Sequence, residues 1–202
     1  MACPVKSLTR RYRQFIGRTN QTYEQRIIVE HMATVHMIIA PERFRDEELF
    51  VTKEELEKAG HEISIASSTK GVCPGSRGGF AAAILTLAEV KTENYDAVVF
   101  VGSGGSKLYY SNEVALRIAK EMSNKRKVVA AICLAPVILA NAGVLKGKRA
   151  TVAGTEAKTI ESRGAKYMGP GVTVDGNIVT GNAPKSSRLF GQKINELLKA
   201  SG

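Results

Sequence analysis

The stretch that most constrains this chain is residues 127–148, KVVAAICLAPVILANAGVLKGK. Val128 to Ile132 is wholly apolar, as a parallel strand covered on both faces requires, and Pro136 to Ala142 switches to a helix-forming run that Gly143 closes. Only three residues separate the two runs, so the backbone has to double back sharply, and Cys133 stands at the joint. Such a turn is sterically open only where the residues two positions to either side are small, and here they are Ala131 and Ala135. A thiol so placed faces the unpaired N–H groups that open the next helix, whose dipole favours thiolate over thiol. Cys133 is therefore a candidate nucleophile. The competing reading is a small buried hydrophobe at the end of a core strand, the common fate of a free cysteine.

The rest of the chain alternates short apolar runs with amphipathic ones. Val35 to Ala40, His61 to Ser67, Ala97 to Val101, Val128 to Ile132 and Lys148 to Val152 read as strands. Helices are expected over 43–58, 112–123, 155–163 and 185–200, the last with Leu189, Phe190, Ile194, Leu197 and Leu198 inward. Residues 68–79 read as a loop, and 80–90 is ambiguous between helix and hairpin. Asp175-Gly176-Asn177 between two short apolar runs is a hairpin signal. Strands alternating with helices imply a doubly wound α/β sandwich around a mostly parallel sheet, in which ligands gather at the carboxyl ends of the strands. That rule brings together the loop after Ala40, the glycine loop after Val101 and the Cys133 turn.

Charge and cysteine usage exclude several classes. Three cysteines without regular spacing or a C-x-x-C support neither a disulfide framework nor a zinc ribbon. No run approaches the 18 or so apolar residues that cross a bilayer, so no membrane partner is expected and the cytoplasm is the default compartment. The net charge is +10. Residues 1–33 hold six Lys and Arg (Lys6, Arg10, Arg11, Arg13, Arg18, Arg26) against Glu24 and Glu30, and read as a basic N-terminal extension, with nucleic acid an unfavoured partner. The glycine loop Gly102-Ser-Gly-Gly-Ser-Lys107 fits neither common phosphate-binding spacing, so no nucleotide cofactor is expected.

The run from Ala131 through Pro136, followed by Leu139-Ala-Asn-Ala-Gly-Val-Leu-Lys-Gly-Lys-Arg-Ala-Thr151, closely resembles the cysteine-turn signature of the PfpI-type intracellular protease superfamily, which also holds the parkinsonism-associated deglycase. The likeness extends from about Val35 to the C-terminus, giving a single α/β domain over 34–202. It implies a flavodoxin-like fold, akin to class I glutamine amidotransferases, and a homo-oligomer. It also implies a Gly-Gly pair whose amides help bind an oxyanion. Here Gly102 is followed by Ser103, whose backbone N–H would serve with that of Leu134. The family places a Glu after the first strand within reach of the thiol. Setting 44–49 on that pattern puts Arg45 at the position, which leaves Glu42 as the best substitute by reach, with Asp46 and Glu47 behind it. Peptidase-like members carry a His after the cysteine, and this chain has Leu134. His31, His36 and His61 all precede Cys133, and no Cys-His pair is visible.

The resulting expectation is a cysteine-dependent protein acting on small reactive carbonyls or their protein adducts, as a glyoxalase or deglycase does, through Cys133 with Glu42 or Glu47 as proton carrier. That chemistry requires no metal or organic cofactor. Two alternatives use the same residue: a redox-sensing or stress-protective protein in which Cys133 is oxidised, and an intracellular peptidase whose base comes from another subunit.

Overall fold

The structure, a computed structural model, describes residues 32–201. The basic extension, apart from its last two residues, and with it Cys3 and His31, lies outside the described residues. Seven strands form the main sheet: β1 (Thr34–Ile38), β2 (Glu62–Ser67), β5 (Leu85–Thr86), β6 (Ala97–Phe100), β7 (Val128–Ile132), β10 (Val172–Asp175) and β11 (Ile178–Gly181). Their order is β10-β11-β7-β6-β1-β2-β5, and every adjacent pair is parallel except β10 and β11. β3 (Gly71–Pro74) and β4 (Phe80–Ala83) pair as a separate antiparallel ribbon, so part of the 68–79 stretch expected as a loop is strand, and the ambiguous 80–90 stretch resolves into β4, β5 and a short turn over Leu87–Glu89.

The central strands are apolar throughout because both faces are covered. Along β6 and β7, Val98, Phe100, Val129 and Ala131 pack into one core, while Ala97, Val99, Val128, Ala130 and Ile132 pack into the other. The first core is closed by α2 (Glu113–Asn124), α3 (Pro136–Asn141) and α4 (Ala157–Ser162), and the second by α1 (Asp46–Lys58) and α5 (Ser187–Ala200). Each fully buried aliphatic or aromatic side chain contributes roughly 1.5–3 kcal/mol of transfer free energy, so these alternating layers fix the register of the strands that carry the loops. Asn112 caps α2 by accepting a hydrogen bond from the Ala115 N–H. Helix α5 lies close on α1: a Cβ at Gly191 would come within 2.9 Å of the Glu55 Cβ, so a glycine is retained inside the helix despite its poor propensity.

Two further sequence expectations need correction. Residues 148–152 contribute only a two-residue strand, β8 (Arg149–Ala150), which pairs with β9 (Lys166–Tyr167) outside the main sheet. Leu189 is 46% exposed, because the inward stripe of α5 runs through Phe190, Ile194 and Leu198 at four-residue spacing and leaves Leu189 a quarter-turn outside it.

Candidate active site

β1 connects to β2 on one side and pairs with β6 on the other, so the connections diverge between β1 and β6, and a crevice opens beyond their carboxyl ends. A cavity of about 740 Å³ occupies it, lined by segments following β1, β6 and β7 that include Arg43, Arg45, Glu48, Ser103, Cys133 and Leu134.

Cys133 sits immediately after β7 with φ of +62°, left-handed backbone that costs a non-glycine residue about 1–2 kcal/mol. Both of its backbone groups are secured: its N–H donates to the Gly181 carbonyl at 2.9 Å and its carbonyl accepts from the Ala153 N–H at 2.8 Å. Ala131 and Ala135 are both fully buried, which is the close packing the turn demands. Tyr110, which the sequence reading did not single out, donates its phenol O–H to the Leu134 carbonyl at 3.0 Å and so holds the first residue past the thiol. Its hydroxyl is pushed above the ordinary phenol value by burial and by the nearby Glu156 and Cys133. No short motif marks a tyrosine with such a role.

The carboxyl beside the thiol is Glu48, not Glu42 or Glu47. Glu42 is exposed, on the loop before the helix. Glu47 turns aside to pair with Arg45, with 2.8 Å between Oε2 and Nε. Successive helical residues are rotated by about 100°, so Glu48 points where Glu47 cannot, and it is fully buried. Its neighbours on the inward stripe are Leu49, Thr52 and Leu56, all buried as well. This was the available signal: an acid at the N-terminal end of an otherwise inward helix face. Asp46 is also committed elsewhere, accepting hydrogen bonds from the Arg77 and Gly79 amides at 2.8 and 2.7 Å and from the Ser76 hydroxyl.

Neither Glu48 oxygen makes a hydrogen bond of ordinary geometry, but the Cys133 thiol and the Gly102 amide act on it at close range. Burial pushes its carboxyl up to about 7, against the smaller opposing pull of the thiol, the Gly102 amide and Arg45. Burial likewise pushes the Cys133 thiol up to about 12, reinforced by the Glu48 charge, while the Leu134 N–H and Arg45 pull it down. The helix-end activation expected from sequence is thus present in the Leu134 amide but outweighed by burial, and further by Glu48 when it is charged. Thiol and carboxyl form one coupled acid: after the first ionisation, they hold a single proton and a single negative charge between them.

Gly102 is required for a steric reason. A Cβ there would lie 2.4 Å from the Ile132 carbonyl oxygen and 2.7 Å from both the Cys133 Cβ and Glu48 Oε2. Its carbonyl accepts from the Arg45 N–H at 3.1 Å, tying the glycine loop to the start of α1. Ser103 is buried against the cavity, its hydroxyl accepting from the Ser106 N–H, and it and Leu134 face the same space as Cys133.

The histidines lie elsewhere. His36 is buried within β1, Nδ1 at 2.6 Å from the Ser64 hydroxyl and its ring 4.5 Å from that of Tyr95, and His61 accepts the Ala33 N–H. Cys73 is buried in the β3–β4 ribbon. Among the described residues there is no cluster of three or more His, Cys, Asp or Glu able to hold a metal ion, and no helix long and apolar enough to cross a membrane.

A mostly parallel sheet between helix layers, with a cysteine on a strained strand-to-helix turn and a buried glutamate against it, defines a flavodoxin-like class of cysteine-centred α/β proteins. Within that class the chain belongs to the DJ-1/PfpI family, whose model matches residues 33–197. It is 46% identical over 171 residues to an uncharacterized protein of Methanocaldococcus jannaschii, covering 83% of this chain and 82% of that one. It is 34% identical over 163 residues to the deglycase PfpI of Pyrococcus furiosus, covering 81% of this chain and 98% of the relative. Among solved structures, a ThiJ/PfpI domain protein from Brachyspira murdochii superposes with a TM-score of 0.82 at 31% identity, covering 84% of this chain and 98% of that one.

Proposed function

We propose that the protein uses Cys133 as a nucleophile toward small reactive carbonyl compounds, or the adducts they form on proteins, with Glu48 as its proton carrier. The observation that supports this is the buried Glu48 carboxyl set against the thiol at the cavity floor. A base whose pKa lies near 7 combines availability with proton affinity at neutral pH. As Sγ attacks the carbonyl carbon, the S–C bond forms and the π pair moves to oxygen, toward the Leu134 and Ser103 amides. The thiol proton passes to Glu48 and then to the new alkoxide, giving a hemithioacetal. With a 2-oxoaldehyde, transfer of the aldehyde C–H proton to the neighbouring carbon yields a thioester, and water releases the 2-hydroxy acid. One water is added overall, and no external oxidant enters. Relatives named as deglycases fit the same substrate chemistry.

Peptide hydrolysis fits less well, because neither His36 nor His61 lines the cavity to form a Cys-His pair with Cys133. The test is consumption of methylglyoxal by the wild type and by Cys133→Ala. Loss of about a thousandfold or more is expected for removal of a nucleophile; turnover that survives the substitution removes Cys133 from the reaction. The expected association with a second copy is supported by the outer face of the β3–β4 ribbon, where Val72 and Phe80 are exposed. A monomer in sedimentation at micromolar concentration would exclude it.

A further inference from the structure

The cavity carries more positive charge than a site for a neutral dicarbonyl needs. Arg43 and Arg45 both line it. Arg45 is partnered by Glu47, but among the described residues no carboxylate pairs with Arg43, although Glu42 precedes it and acids open the following helix. Arg43 is also held in an unfavourable conformation. Its φ is +55°, left-handed backbone that glycine or asparagine adopts far more readily than arginine. The strain is imposed from outside the residue: the Arg43 N–H donates to the Pro74 carbonyl at 2.7 Å, and Phe44 bridges to Gly75. The β3–β4 ribbon thereby clamps the loop so that Arg43, an exposed residue, borders the cavity. Strained non-glycine residues of this kind concentrate at ligand clamps, and an unpaired guanidinium with five donors matches carboxylate and phosphate oxygens.

We propose that the cavity selects carbonyl compounds bearing an anionic group, a carboxylate or a phosphate, with Arg43 as the anion anchor and Arg45 as a second, partly neutralised cation beside it. This rests on the reading of Cys133 as the residue that meets the carbonyl. The anion is held at the rim by Arg43, which leaves the carbonyl end free to reach Cys133 and Glu48 at the floor. The hydroxyl of Ser103, which also borders the cavity, adds a neutral donor between the two ends.

Two measurements test it, one of which does not need the thiol. In the first, Cys133→Ala is titrated calorimetrically with inorganic phosphate and, separately, with acetate. Saturable binding that weakens about tenfold or more on adding Arg43→Gln is expected from loss of a charge-assisted contact. The tighter of the two ions identifies the anionic group. Absence of binding by either ion, or binding indifferent to Arg43, overturns the proposal whatever Cys133 does. In the second, full-length protein with Cys3 and Cys73 replaced by Ala is alkylated with iodoacetate and with iodoacetamide. Each reaction forms one S–C bond and expels iodide, and the neutral reagent normalises for thiol reactivity. The iodoacetate-to-iodoacetamide rate ratio should exceed that of free cysteine about tenfold and fall back toward it in Arg43→Gln. A ratio equal to that of free cysteine refutes anion selection while leaving the nucleophile intact. Failure of both reagents to react, with Arg43-dependent phosphate binding preserved, instead sinks the carbonyl chemistry and keeps the anion site. Arg43→Gly adds a control for a merely structural arginine: relief of the left-handed strain should raise the urea midpoint while anion binding falls. A lowered midpoint would mean that Arg43 holds the loop rather than a ligand.

Discussion

Glu48→Gln should stabilise the protein, and by an amount that depends on pH. The wild-type carboxyl titrates at about 7 in the folded protein against an ordinary value of 4.5, because burial penalises its charge. A folded-state value above the unfolded one means that the folded protein holds its proton more tightly. The stability this lends is complete below about 4.5 and is lost as pH rises through about 7. At about 1.4 kcal/mol per pH unit, the loss reaches a little over 3 kcal/mol near pH 8. Glutamine keeps the shape and carries no charge, so it escapes the loss, while any cost of its less well matched amide is the same at every pH. The variant's stability relative to wild type should therefore rise by about 3 kcal/mol between roughly pH 4 and pH 8, read from urea denaturation at both values. His36 also titrates in this range, held down to about 4 by burial, but it is common to both proteins and cancels in the difference. A pH-independent difference, or a wild type that gains on the variant as pH rises, would refute a buried, charge-penalised carboxyl at this position.

Two further substitutions probe the frame of the site. Gly102→Ala places a methyl 2.4 Å from the Ile132 carbonyl oxygen and 2.7 Å from Glu48 Oε2. It should cost at least about 1–3 kcal/mol in urea denaturation and slow alkylation of Cys133; a variant of wild-type stability would show that the β6 and β7 loops are further apart than described. Asp46→Ala leaves the Arg77 and Gly79 amides without their acceptor. A loss of about 1–3 kcal/mol is expected, with hydrogen exchange at residues 75–79 accelerated first; unchanged exchange there would mean that the ribbon is held by other contacts.

The elements that were plain in the sequence are those in which one periodicity acts over a whole segment. Val128–Ile132 had to be a doubly covered strand, and Ala131 and Ala135 had to border a tight turn, because no other arrangement fits their sizes. The family followed from the same stretch. The acid partner was misassigned because linear reach from β1 favoured Glu42, whereas α1 begins at Asp46 and its rotation alone decides which of three consecutive acids faces inward. Reading Glu48 together with Leu49, Thr52 and Leu56 as one face would have found it. Tyr110 left no such trace, since a phenol that braces a carbonyl 24 residues away is set by tertiary packing alone. The same holds for Arg43, whose left-handed backbone depends on the Pro74 carbonyl across the ribbon.

The most direct test of the coupled thiol and carboxyl is the pH dependence of Cys133 alkylation by iodoacetamide, with Cys3 and Cys73 replaced by Ala so that one thiol reports. Loss of the pair's first proton predicts an inflection near 7, below the reference thiol value of about 8.5, and its disappearance in Glu48→Gln. A single inflection at or above the reference value, unmoved by that substitution, would mean that Glu48 and Cys133 titrate independently, and the proposed catalytic pair would not exist.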